Sequence, residues 1–157
     1  MKIDVKQLLS QLEGCTETHP FQHTTLPIDE TTVAQVTGTV ILTHLGDGSI
    51  LGQLTGQAQL TQPCHRCLAP TILHVPLDFA TEFNSKINSK DTEKYPITNG
   101  EIDLSVPLTE EIIANFPLQV LCQDNCLGLC PQCGANLNDN PCKCGKVNYE
   151  VRNKINL

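Results

Sequence analysis

At 157 residues, with nine cysteines, no tryptophan and 4% aromatic residues, the chain is long enough for one core with a small appended module, and that core must be built from Val, Ile and Leu. Its formal net charge of −7 at pH 7 argues against the basic surface with which proteins grip free nucleic acid non-specifically. No stretch approaches the roughly 18 apolar residues of a membrane span.

In chain order, Val5, Leu8, Leu9 and Leu12 fall at helical spacing and predict a short amphipathic helix over residues 4–13, ended by Gly14. Residues 15–32 read as loop, with one strand around Phe21 to Ile28. Residues 33–61 carry the clearest pattern. Val36, Gly38, Val40 and Leu42 alternate with Thr37, Thr39, Ile41 and Thr43, and Gly46-Asp47-Gly48 makes a turn. Ile50, Gly52, Leu54, Gly56, Ala58 and Leu60 then alternate with polar residues. This is a β-hairpin with one apolar face, whose glycines predict bulges or the close approach of another backbone.

Leu73, Val75, Leu77, Phe79 and Phe83 form a third alternating run, so Cys64 and Cys67 belong in the turn between two antiparallel strands. Residues 84–100 are polar and read as a surface loop. Order resumes at Glu101-Ile102-Asp103-Leu104. Ser105 then serves as N-cap of a helix over 106–115, with Pro107 in its first turn, Leu108, Ile112 and Ile113 turned to the sheet, and Pro117 closing it. The expected architecture is α+β: an antiparallel hairpin or meander sheet covered by short helices over residues 1–120, with a cysteine-rich zinc-binding module over 121–157 packed on it. That module lacks periodicity and needs metal to fold.

Cys130-Pro131-Gln132-Cys133-Gly134 has the spacing of a zinc knuckle, in which two intervening residues let both sulfurs reach one ion. Cys142 and Cys144 lie closer together, but converge if the backbone bends at Gly145. These four make the first expected site. Cys64 and Cys67 need partners, and Cys122 and Cys126, one helical turn apart, complete the second. The alternative grouping joins Cys122 and Cys126 to Cys130 and Cys133, and Cys64 and Cys67 to Cys142 and Cys144. The cofactor is therefore one or two structural Zn2+ ions, with Cys15 left as an inert thiol. The first residues, Met1 to Lys6, show no long apolar run ahead of a cleavage site, so reduced thiols in a cytoplasmic compartment are expected.

Closed four-thiolate sites leave no open coordination position, so no catalytic residue and no small-molecule substrate is expected. Two other classes are distinguishable. A thiol oxidoreductase would use Cys64 and Cys67, with His65 and Arg66 lowering a thiol pKa, but such a pair belongs at a helix N-terminus after a strand. A zinc-ribbon module of the transcription machinery would bind polymerase or DNA. The histidines form no HExxH pattern, and His65 is at most a supporting group or a substitute ligand.

Charge is uneven. Residues 78–111 hold eight acids and three lysines, a balance of −5, whereas residues 140–157 hold Lys143, Lys146, Arg152 and Lys154 against Glu150, a balance of +3.

Cys64-His65-Arg66-Cys67-Leu68 after a glycine-rich hairpin resembles a segment of the YceD-type proteins. So do Glu101-Ile102-Asp103-Leu104, Glu110-Glu111-Ile112-Ile113 and Phe116-Pro117. Cys122-x3-Cys126-x-Gly128-Leu129-Cys130-Pro131-x-Cys133-Gly134-x-Asn136-Leu137-Asn138 resembles the C-terminal signature of that family's cysteine-rich branch. The tail departs from it, with Glu150-Val151-Arg152 where the family commonly has Asp-Pro-Arg. The resemblance implies a non-enzymatic role in ribosome biogenesis, supporting accumulation of large-subunit (23S) ribosomal RNA in bacteria or the plastid stroma. The implied partner is precursor ribosomal RNA, a ribosomal protein or an assembly factor, with no membrane. Arg66, Lys143 and Lys146, beside the cysteine turns, are the candidates for that contact.

Overall fold

The computed structural model describes residues 1–86, 94–139 and 142–144. Its elements run β1 (Lys2–Asp4), α1 (Lys6–Ser10), β2 (Thr16–Pro27), β3 (Val33–Gly46), β4 (Ser49–Pro63), β5 (Pro70–Asn84), β6 (Lys94–Pro96), β7 (Glu101–Asp103) and α2 (Ser105–Ala114). The fold is mostly sheet with two short helices. Five strands lie in the order β2-β3-β4-β5-β6, and β1 pairs with β7 in a separate antiparallel ribbon.

The chain divides into two compact units. One comprises Met1–Gln62 and Ile72–Leu118, the other Pro63–Thr71 and Gln119–Leu157. The loop that carries Cys64 and Cys67 thus groups with the C-terminal cysteines.

In the sheet unit, β3 and β4 pair antiparallel from Ala34↔Leu60 to Gly46↔Ser49. Asp47 and Gly48 form the two-residue turn with φ of 48° and 74°, the left-handed pair that matches strand twist in a tight hairpin. Val36, Val40, Leu42, Leu54, Ala58 and Leu60 are buried on one face, with Thr37, Gln53, Thr55, Gln57 and Gln59 exposed on the other. Phe83, Val75 and Leu77 of β5 join this core, and Leu8, Leu108 and Ile112 of the helices cover it with Val5, just ahead of α1. A fully buried side chain of this kind contributes about 1.5–3 kcal/mol. Gly38 and Gly56 face each other directly, and a Cβ on Gly56 would stand 2.7 Å from the Gly38 Cα. The close-approach reading of these glycines holds, and the ladder shows no bulge there. At Gly52 the open space is filled by the Phe83 ring.

Five local expectations are corrected. The helix of residues 4–13 shrinks to Lys6–Ser10, because Lys2–Asp4 pairs with β7 and Leu12 stands 83% exposed. Residues 15–32 are mainly strand: β2 pairs antiparallel with β3 along Thr16–Pro27, with a bulge between Phe21 and Thr24. It is an edge strand, which tolerates Pro20 and needs few apolar residues. Within 84–100, Lys94–Pro96 pairs parallel with β5, and the Tyr95 ring packs on Phe83 at 5.8 Å. Ser105 is the first helical residue rather than the cap, and its N–H donates to Asp103 Oδ1 at 2.9 Å. Ile113 is 56% exposed, because the buried stripe of α2 runs through Leu108 and Ile112.

Candidate metal centres

The C-terminal unit is built on two knuckles with the same backbone pattern. In the first, Leu68 N–H donates to the Cys64 carbonyl (2.9 Å) and Cys64 N–H to the Ala69 carbonyl (2.8 Å). In the second, Gly134 N–H donates to the Cys130 carbonyl (2.9 Å) and Cys130 N–H to the Ala135 carbonyl (2.8 Å). The residue after the second cysteine is left-handed in both, with φ of 62° at Leu68 and 72° at Gly134. The turn that aims two sulfurs the same way requires that conformation. Leu68 adopts it at a steric cost of about 1–2 kcal/mol while its side chain is 64% exposed. Leu68→Gly is therefore expected to raise stability by about 1 kcal/mol and Gly134→Ala to lower it by a similar amount. Thermal unfolding of the metal-loaded chain checks both; a loss on Leu68→Gly would refute the strain.

The structure brings together Cys64, Cys67, Cys122 and Cys126 in one group and Cys130, Cys133, Cys142 and Cys144 in another. Within each, the sulfurs all lie within 4.8 Å of one another. The alternative grouping is not assembled. In the first group the Cys64 and Cys126 sulfurs are 3.8 Å apart and those of Cys67 and Cys122 3.5 Å, far beyond a disulfide bond of about 2.05 Å. Cys64, Cys67 and Cys126 are buried and Cys122 is exposed. In the second group only Cys130 is buried.

Electrostatics within each group favour a cation. Burial pushes the Cys64 thiol up, but backbone N–H groups of Cys67, Arg66 and Cys122 outweigh it and bring the pKa down to about 6. Cys130 falls to about 6 through the backbone N–H groups of Cys133 and Gln132. Their neighbours move the other way. The Cys67 sulfur, with burial, pushes Cys122 up to about 12, and the Cys133 sulfur does the same to Cys144. Burial opposes ionisation of Cys126 too, but Asn138 and the Gly128 N–H outweigh it and bring its pKa down. With Cys122 and Cys144 pushed up, a bare set cannot hold four thiolates against its own repulsion. A bound cation removes that repulsion, so each group of four thiols fits a metal ion.

Side chains beyond the cysteines hold the first group in place. Arg66 N–H donates to Cys64 Sγ at 3.4 Å, and the Arg66 guanidinium Nη1 donates to the Cys126 carbonyl at 3.0 Å. Asn138 Nδ2 donates to Cys126 Sγ at 3.3 Å while its Oδ1 accepts from Leu127 N–H at 2.8 Å. Asn138 follows the second knuckle in sequence yet orders a sulfur of the first group, a role the sequence reading did not assign. Its only signal was its place in the Asn136-Leu137-Asn138 run. His65 is exposed and belongs to neither group; its backbone N–H donates to the Val120 carbonyl at 2.8 Å. Lys143 is exposed between Cys142 and Cys144. Cys15 packs half-buried against the sheet core. Gly145, Lys146 and the tail residues Glu150, Val151, Arg152, Lys154, Ile155 and Leu157 lie outside the described residues.

A family model described as large ribosomal RNA subunit accumulation protein YceD matches residues 52–153. A chloroplastic protein of Arabidopsis thaliana named large ribosomal RNA subunit accumulation protein YCED homolog 1 is 33% identical over 69 residues, 44% of this chain and 22% of its own. Its namesake in Zea mays is 35% identical over 72 residues, 45% of this chain and 25% of its own. An uncharacterised protein of Mycobacterium tuberculosis is 30% identical over 83 residues, 50% of this chain and 40% of its own. The chain thus spans less than half the length of the curated relatives it matches. No solved structure matches it. The chain belongs to the YceD family.

Proposed function

We propose that this member of the YceD family is a non-catalytic factor in ribosome biogenesis that supports accumulation of large-subunit (23S) ribosomal RNA, its C-terminal unit held by two structural zinc ions. The observation that carries the reading is that both four-thiol groups fall inside the stretch matched by the family model, residues 52–153. The plant relatives in that family are named for large-subunit ribosomal RNA accumulation.

Zinc is supported by the donor chemistry. A tetrahedral zinc with Zn–S bonds of about 2.3 Å sets its sulfurs about 3.8 Å apart, in keeping with the 3.8 Å and 3.5 Å separations. Cys64, Cys67, Cys122 and Cys126 would hold one ion, and Cys130, Cys133, Cys142 and Cys144 the other. Bound zinc would supply cross-linking and charge neutralisation, with all four positions filled by sulfur. Cys64 and Cys67 face Cys126 and Cys122 across their group and open no helix, which supports a structural role over thiol exchange. Free thiolates of this kind need a reducing compartment, the cytoplasm or a plastid stroma.

Arg66 and Lys143 are the contacts to precursor RNA or to an acidic partner, with Lys146 a further candidate. Depleting the protein should lower 23S relative to 16S ribosomal RNA; an unchanged ratio would refute the reading. Direct RNA contact is read from binding of 23S fragments against salt. Lys143→Gln should weaken binding modestly and reduce the log–log salt slope by about 1. Arg66→Gln should in addition cost about 1 kcal/mol of stability, because it breaks the bond to the Cys126 carbonyl. If no fragment binds at low salt while 23S still falls on depletion, the partner is a protein.

A further inference from the structure

We propose that the groove between β2 and α2 is a docking site for an extended, cationic peptide segment that adds to the free edge of β2. The groove lies wholly within the sheet unit and has a volume of about 580 Å³. One wall is Thr24–Pro27 of β2; the other is Ser105, Val106, Thr109 and Glu110 of α2.

Three observations select this occupant. First, β2 is the edge of the five-stranded sheet and is paired only with β3. Alternate residues of such a strand turn their N–H and C=O groups away from the one partner, which makes an edge a template for another chain. The edge is guarded unevenly. Pro20 and the bulge between Phe21 and Thr24 disrupt its first half and Pro27 closes its end, leaving Thr24, Thr25 and Leu26, which pair regularly with β3 and carry no charge, as the open stretch. Second, the otherwise polar wall opposite offers one apolar contact, Val106. Val106 is half exposed beside the buried Leu26. A peptide there gains main-chain bonds from β2 and a pocket for an apolar side chain.

Third, the charge is one-sided. Glu110 accepts the Tyr95 hydroxyl, and no cationic side chain pairs with it among the described residues. The positive group at the groove, the Met1 ammonium, is taken by Asp103 at 2.8 Å. Glu110 is thus open to a lysine or arginine at alternate spacing from the apolar side chain. Nucleic acid does not suit the groove, because no lysine or arginine lines it among the described residues. The assignment involves no cysteine and stands independently of metal and of ribosomal RNA.

The test is to pan a phage-displayed library of random linear peptides against the full chain, then map the recovered peptides by backbone amide shifts. Recovered peptides should carry a lysine or arginine alternating with β-branched or apolar residues, and should shift residues 24–27 and 105–110. Glu110→Gln, which keeps an acceptor for Tyr95, should weaken them about fivefold, the size of one partly exposed ion pair. Val106→Arg should abolish binding with the thermal midpoint unchanged. Recovery of no peptide, of uncharged or acidic peptides, or of peptides that map elsewhere or bind Glu110→Gln equally well, would overturn the proposal.

Discussion

Purified under reducing conditions, the chain is expected to carry two equivalents of zinc, and the Cys64→Ser/Cys67→Ser double variant only one. Three of the four sulfurs in that group are buried, and its ligands lie 55 and 62 residues apart in sequence. An ion there would join two chain segments that otherwise meet through a few hydrogen bonds, among them His65 N–H to the Val120 carbonyl, Leu129 N–H to the Arg66 carbonyl and the Arg66 guanidinium to the Cys126 carbonyl. Structural zinc in small modules contributes on the order of 10 kcal/mol. Its loss should therefore unfold the segments around Cys64 and Cys126 while the sheet unit, with its own core, stays folded. Native mass spectrometry gives the stoichiometry, and amide spectra show which resonances collapse. Cys142→Ser/Cys144→Ser should also leave one equivalent, with the Cys64–Cys126 group intact. In the loaded wild type, Cys15 should be the slow-reacting spare thiol. A double variant that retains two ions, or a wild type that holds none and forms disulfides, would refute the scheme.

The second large effect is expected at Gly38 and Gly56. A Cβ on Gly38 would collide with the Thr55 carbonyl and stand 2.8 Å from the Gly56 Cα, and one on Gly56 would strike the Thr37 carbonyl. Both obstacles are main chain in the middle of a paired ladder, so relief requires the two strands to part. Gly38→Ala and Gly56→Ala should each cost about 3 kcal/mol or more, at the upper end of overpacking penalties. The usual entropic gain of about 0.4–1 kcal/mol on replacing glycine by alanine is too small to offset this. Gly52→Ala is the control. Its nearest neighbour is the Phe83 ring edge at 3.1 Å, a side chain that can shift, so the cost should be about 1 kcal/mol. The Gly38→Ala/Gly56→Ala pair should lose less than the sum, because the first methyl opens the gap the second needs. Urea midpoints at constant slope measure all four. Neutral single variants would mean that the strands do not approach so closely.

The hairpin was legible because period-two alternation persists through both strands and Gly46-Asp47-Gly48 marks the reversal. Of the edge strand β2, only the half around Phe21 to Ile28 was legible. It is flanked by one neighbour, needs few apolar residues, and contains Pro20, so its first half shows no sustained alternation. The ribbon of β1 and β7 joins residues about a hundred positions apart, so no local pattern announces it, and it shortens the helix read over 4–13. Ser105 looked like a cap because hydroxyls often are. Here Ser105 is already helical, and its own N–H donates to the preceding Asp103 carboxylate. At the candidate metal centres, Cys-x-x-Cys spacing exposed the knuckles. The partners of Cys64 and Cys67 stayed open between two groupings, since spacing within a pair says nothing about which pairs converge. Asn138 was invisible as a sulfur donor because its reach to Cys126 depends on how the second knuckle folds back.

The spread of the first group's ligands also imposes a timetable. A chain made from its N-terminus presents Cys64 and Cys67 while 54 further residues separate them from Cys122. The whole of β5 and α2 must be synthesised before the set can close. Throughout that interval the pair is a bare two-thiol half-site, open to oxidation or to capture of the wrong metal. The second group has no such exposure, since its four cysteines emerge within fifteen residues. During synthesis, the vulnerable moment of this protein falls at the centre that is most buried once folding is complete.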